Sequence, residues 1–140
     1  MDYITPHFLK KEVACRCCGV ANVSGRFMQA LEDFRVHIDR PVLLNSVCRC
    51  PIHNRIVGGA PKSFHISTAA TEACAGDLRI KKMSCFEIME KLEEWDINNI
   101  FTGRGIYPAD NFIHLDTGPS RTRVSRWIQN MGTYEYVKTF

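Results

Sequence analysis

The chain has 140 residues, 45% hydrophobic and 24% charged, with a formal net charge of +3. That size and balance fit one globular domain over 1–140 with a core of its own. No apolar run is long enough to cross a bilayer, and MDYITPHFLKKEV lacks the apolar middle of a signal peptide, so the expectation is a protein cytoplasmic at synthesis with no membrane partner.

Taken in chain order, residues 1–20 read as irregular: Pro6, then Cys15-Arg16-Cys17-Cys18, then Gly19. Asn22 or Ser24 can cap a helix in which Phe27, Leu31, Phe34 and Ile38 share one face. Arg40-Pro41 ends it. Pro41-Val-Leu-Leu-Asn45 reads as a short buried strand ending near Ser46, and a short helix after Pro51 stops at Gly58-Gly59. Residues 66–76 are small and polar and read as a loop, before Gly76-Asp-Leu-Arg-Ile80 begins a strand. Ser84 and Glu87 form a capping-box pattern for a helix through about Glu94, with Ile88, Leu92 and Trp95 on one face. Residues 96–104 read as a turn region. Gly105-Ile-Tyr107 and Phe112–Asp116 read as a hairpin whose loop holds Pro108 and Asp110. The last 20 residues carry Trp127, Tyr134, Tyr136 and Phe140 without a placement. Helices come first and short strands cluster late, which favours an α+β fold with a small antiparallel sheet and helices on one side.

In Phe112–Asp116 the side chains alternate, so His114 and Asp116 point to one face and Ile113 and Leu115 to the other. A histidine and a carboxylate side by side suit a satisfied core pair, a catalytic pair or part of a metal site. His53, His65 and His114 lie near glycine-rich or strand-end positions, with Glu72, Asp77, Asp110 and Asp116 as the nearest acids. A catalytic zinc takes three protein ligands and keeps one position open. Spacing alone leaves these alternatives standing.

The combined pattern is more specific than its parts. Ser46-x-x-Arg49, His53-Asn54, Gly58-Gly59-Ala60, Ser63-x-His65, Gly76-Asp77-Leu78-Arg79 and His114-x-Asp116 together resemble the zinc D-alanyl-D-alanine peptidase family. That family includes carboxypeptidases, a vancomycin-resistance dipeptidase, phage endolysin peptidases and periplasmic murein endopeptidases, and its zinc site is shared by the hedgehog signalling domain. The resemblance covers about residues 8–127 and is nearest to the short phage and bacterial branch. It implies a hedgehog-type, D,D-peptidase-like fold and a Zn2+ ion on His65, Asp77 and His114. It also implies that Arg49 binds substrate or a developing oxyanion through its fixed fork of donors. The expected function is hydrolysis of a peptide bond in peptidoglycan stem peptides or cross-links, by a protein that reaches the wall after lysis or in a phage particle. The expected protein is a monomer whose partner is the peptidoglycan peptide and not a nucleic acid. The rival is a zinc module that binds wall or protein without cutting.

Two departures from the family pattern bear on the site. The family places its aspartate seven residues after the first histidine, and here that position is Glu72. A five-residue insertion within 66–77 makes Asp77 the ligand, because it keeps the Gly-Asp-Leu-Arg strand in register. Relatives also carry an acid three residues before the last histidine, and here that position is Asn111. The candidate bases are then Asp110, adjacent in the loop, and Asp116, which either takes a proton or orients a ligand. His53 is expected to stay within its helix, and Ser63 to set the His65 loop by a local hydrogen bond.

The seven cysteines are Cys15, Cys17, Cys18, Cys48, Cys50, Cys74 and Cys85. An odd count without a signal peptide argues against a pure disulfide framework. Cys15, Cys17, Cys18, Cys48 and Cys50 suit a structural zinc or disulfide cluster, or remain buried thiols. Counted as Cys-x-Cys-Cys and Cys-x-Cys, they miss the usual Cys-x-x-Cys knuckle. A nucleic-acid binder built on them would also need a recognition helix rich in Arg and Lys, which is absent from the sequence; the cluster Arg121, Arg123 and Arg126 reads as a solvated tail of mixed charge.

Overall fold

The computed structural model describes residues 2–140. Its centre is a six-stranded sheet made of β3 (Leu43–Ser46), β4 (Ala75–Arg79), β5 (Gly103–Tyr107), β6 (Phe112–Asp116), β7 (Ser125–Asn130) and β8 (Thr133–Val137). The strand order is β3-β4-β6-β5-β7-β8. All neighbours are antiparallel except β5 and β7, which run parallel. A separate pair, β1 (Tyr3–Thr5) and β2 (Phe8–Leu9), leads into the short helix α1 (Lys10–Val13). Among the described residues no helix is long and apolar enough to cross a membrane.

The alternation in β6 sets the layers. Ile113 and Leu115 are fully buried in the core with Leu78 of β4 and Ile106 of β5. That core face is covered by α2 (Gly25–Ile38) and α4 (Cys85–Trp95), which bury Phe27, Leu31, Phe34, Ile88, Met89 and Leu92. This is the expected α+β arrangement with helices on one side. The caps are also as read. Ser24 Oγ accepts from Phe27 N–H, and Ser84 and Glu87 close a capping box. The helix α3 (Pro51–Ile56) follows Pro51 and ends ahead of Gly58, whose φ is 73°.

Three regions differ from expectation. The start of the chain is ordered rather than irregular. Strands of two or three residues are too short to show a period. Glu32 of α2 holds them from outside, taking His7 N–H at 2.8 Å and the His7 ring at 2.5 Å. Second, β5 starts at Gly103, within the expected turn. The turn is built by Asp96, whose carboxylate accepts from Ile100 and Phe101 N–H at 2.8 Å each. Third, the unplaced C-terminal residues form the β7–β8 hairpin. Its two-residue loop, Met131-Gly132, has φ of 48° and 83°, the two left-handed positions that a hairpin turn matched to strand twist requires.

Candidate metal centre

Register brings the site together. Asp77, His114, Gly105, Trp127 and Tyr136 are paired in turn across β4, β6, β5, β7 and β8, so they form one row on the face away from the helices. His65 comes from the preceding loop. Its backbone is zipped to that of Arg49, with Arg49 N–H donating to His65 O and Ser67 N–H to Arg49 O, both at 2.8 Å. Ser63 Oγ accepts from His65 N–H at 3.2 Å, the local bond expected of it.

Donor atoms of His65, Asp77 and His114 lie within 4.8 Å of one another. Each imidazole has one nitrogen fixed by the protein. His65 Nδ1 lies 2.8 Å from the Val47 carbonyl, which can only accept, so Nδ1 carries a proton and Nε2 is the nitrogen left to face a metal. His65 Nε2 then faces Asp77 Oδ1 at 3.2 Å. His114 faces the same oxygen through Nδ1 at 3.0 Å and faces Asp116 Oδ2 through Nε2 at 2.8 Å. Two imidazole nitrogens and one carboxylate oxygen converge on a shared point, and each histidine has an acceptor behind it. That donor set fits zinc.

Asp77 is itself aimed. Arg49 Nη2 donates to Asp77 Oδ2 at 3.1 Å, leaving Oδ1 for the imidazoles. Arg49 is fixed in turn by Ser46 Oγ at 3.0 Å and Asn54 Oδ1 at 3.4 Å. Burial works to raise the Asp77 carboxyl, but the charge of His65 and the hydrogen bonds from His114 and His65 hold it well below the usual range. Burial works against a charged His114, yet its hydrogen bonds to Asp116 and Asp77 raise it to about 9 in the metal-free protein. A metal taken by His114 Nδ1 would have to displace the proton held there.

Asp116 is completely buried, and its two oxygens are in use. Oδ2 takes His114, while Oδ1 takes Gly118 N–H at 2.9 Å and a close ion pair with Arg121. Of the two roles expected for it, orienting His114 is the one this geometry serves. Asp110 is exposed on the hairpin turn and does not line the cleft, so the candidate base there is not brought to the site. Asn111, at φ 51°, closes that turn and ties it to α4 by accepting from Cys85 N–H at 2.7 Å. Glu72 is exposed in its loop while Asp77 is 7% exposed between the histidines, so the in-register aspartate and not Glu72 is the acid grouped with them. His53 stays on α3, outside the group.

The group lies in an open cleft of about 700 Å³ that Arg49, Tyr107, Arg121, Trp127 and Tyr136 help to line. Trp127 lies against the His114 ring with centroids 5.2 Å apart and donates Nε1–H to the Tyr107 hydroxyl at 3.0 Å. Gly105 makes room for it, since a Cβ there would sit 2.4 Å from Trp127 Nε1. Burial pushes the Tyr107 hydroxyl up, so it stays protonated and keeps a hydrogen to donate. Sequence reading missed Arg121, Trp127 and Tyr107. Trp127 and Tyr107 belong to the site through strand register; Arg121, read from sequence as part of a solvated tail, joins it from the loop after β6 through its ion pair with Asp116.

Two histidines and one aspartate at the floor of a solvent-reached cleft, with an arginine behind the aspartate, define a single-metal hydrolase type of centre. A family model for peptidase M15 matches residues 3–116, and the chain belongs to that family of zinc-dependent peptidases, whose substrates are of the peptidoglycan type. No curated protein is similar enough in sequence to count as a relative. The match ends with β6, so Arg121, Trp127 and Tyr136 lie beyond the matched residues.

Proposed function

We propose that the protein hydrolyses a peptide bond in peptidoglycan stem peptides or cross-links, as a carboxypeptidase or endopeptidase, with zinc on His65, Asp77 and His114. The observation that carries this reading is the pair of histidines that share Asp77 Oδ1 in an open cleft, each held from behind by an acceptor. When bound, zinc supplies Lewis acidity to a carbonyl and acidifies water. The chain supplies the rest. Arg49 keeps Asp77 turned toward the imidazoles and presents its remaining N–H groups to a substrate carboxylate or developing oxyanion. The Tyr107 hydroxyl, accepting from Trp127, is free to donate to the same substrate. Trp127 and Tyr136 offer flat apolar walls to a peptide. Action on the wall after cell lysis or in a phage particle is part of this reading.

One observation favours a second reading. Apart from Asp77, the single carboxylate lining the cleft among the described residues is Asp116, and its oxygens are engaged. Accepting a proton there competes with three existing bonds, so a zinc module that binds wall peptide without cutting it is the alternative. Purified peptidoglycan separates the two. The peptidase reading expects new amino or carboxyl ends with the zinc-loaded protein, and at least a hundredfold loss in His65→Ala and in Arg49→Lys. Binding to walls by a zinc-loaded protein that releases no new ends would establish the alternative.

A further inference from the structure

The cleft uses none of the cysteines. Three of them, Cys15, Cys18 and Cys50, bring their sulfurs within 4.8 Å of one another. Cys15 and Cys18 stand three residues apart, so Cys15-Arg16-Cys17-Cys18-Gly19 contains a Cys-x-x-Cys-Gly turn with Cys17 inside it. The knuckle spacing is therefore present, hidden by the extra cysteine. The turn is closed by Gly19 N–H on the Cys15 carbonyl and Cys15 N–H on the Val20 carbonyl, both at 2.8 Å. Gly19 has φ 77°, a left-handed position. Cys50 arrives from the start of α3, where its sulfur accepts from His53 N–H at 3.4 Å. Its own N–H donates to the Cys15 sulfur at 3.3 Å. The exposed Cys17 stands next in the turn, outside the three-sulfur group.

Backbone N–H groups aimed at sulfur favour thiolate over thiol, and thiolate is the form that binds metal. Burial pushes the Cys15 thiol up, but the N–H groups of Cys50, Cys18 and Cys17 outweigh it and bring it to about 7. Of Cys15, Cys17 and Cys18, only Cys15 is lowered: contact with Cys50 raises Cys17, and against the Val20 backbone, burial and the Cys15 thiol raise Cys18. Burial pushes Cys48 and Cys74 up to about 11, and the Cys48 thiol donates weakly to the Asn22 carbonyl.

We propose that Cys15, Cys18 and Cys50 hold a structural zinc ion, with the exposed neighbour Cys17 turning in as its fourth ligand, and that this ion, distinct from the one in the cleft, pins the N-terminal segment to the start of α3 beside Arg49. Four thiolates with no open position make a closed tetrahedral site, which suits a structural and not a catalytic ion. Its place in the fold gives it a use. Segment 15–20 is short and irregular, and α3 is a six-residue helix. The ion would tie both to the backbone that carries Arg49. This inference does not depend on peptidase activity.

The test is metal content and cobalt spectroscopy on protein purified under reductant. Wild type is expected to hold two zinc ions per chain, and His65→Ala and Cys50→Ser one each. Cobalt substitution is expected to give the intense visible bands of tetrahedral thiolate coordination in wild type and in His65→Ala. Wild type needs no variant to fold, and the exposed Cys17→Ser is the mild variant, expected to weaken cobalt binding at this site at least tenfold. Wild type that binds one zinc and shows no thiolate bands would overturn the proposal. So would Cys50→Ser that keeps both ions, or a thiol count showing these cysteines paired as disulfides under the same reductant.

Discussion

Asp116→Asn isolates the orienting role of Asp116 from a role as base. The carboxylate accepts on both sides, from His114 through Oδ2 and from Gly118 N–H and Arg121 through Oδ1. An asparagine has one oxygen and one NH2 group to offer. With the NH2 toward His114, Nε2 must accept, the ring proton moves to Nδ1, and the nitrogen facing Asp77 loses its lone pair. With the NH2 toward Arg121 and Gly118, donors meet donors at a fully buried position. The first arrangement costs one ligand tautomer, and the second leaves buried donors unpaired, at about 1–3 kcal/mol. Loss of a group behind a metal ligand typically costs 10–100-fold in affinity, or about 1.4–2.7 kcal/mol. The assay is zinc affinity by competition with a coloured chelator, in the Cys50→Ser background so that the cleft ion is read alone. The expected result is weakening in that range, with the fold intact by circular dichroism. Unchanged affinity together with lost hydrolysis would refute the reasoning and make Asp116 the base.

Three further outcomes follow from the same geometry. In metal-free protein the raised His114 contributes stability that is present below its unfolded value of 6.5 and lost as pH rises through about 9, on the order of 3 kcal/mol; urea melts of wild type against His114→Gln in chelator should converge over that window, and a constant gap would contradict it. Gly105→Ala puts a Cβ against the Trp127 indole and should cost about 1–3 kcal/mol while shifting tryptophan fluorescence, with an unchanged urea midpoint counting against the close approach. Arg104 is fully buried, pairing with Asp96 at 2.8 Å and with Glu93, so Arg104→Met should cost about 3–5 kcal/mol by stranding Asp96, and a loss below about 1 kcal/mol would show the pair to be expendable.

What the sequence discloses here is whatever is local. The faces of α2 and α4, their serine caps and the two faces of β6 are set by spacing of three, four or two residues, and each appears where read. That Asp77 and not Glu72 would stand beside the histidines was legible because the strand that carries it fixes register. The N-terminal pair and the β7–β8 hairpin were not, because neither announces itself by a long period. The first is held by Glu32 from another element, and the second docks on β5 in parallel. Trp127 and Tyr107 escaped for the same reason, since their place beside His114 is a property of cross-strand pairing, and Arg121 escaped because only the fold of the loop after β6 returns it to Asp116. Asp110 misled because closeness in sequence to His114 is undone by the turn, which points it to solvent.

Anomalous diffraction at the zinc edge, from crystals grown with zinc and reductant, tests the central claim most directly. The account predicts a peak bonded to His65 Nε2, Asp77 Oδ1 and His114 Nδ1, with Asp116 still against His114 Nε2. A peak on other atoms of the cleft, or no peak there with zinc present, would contradict it.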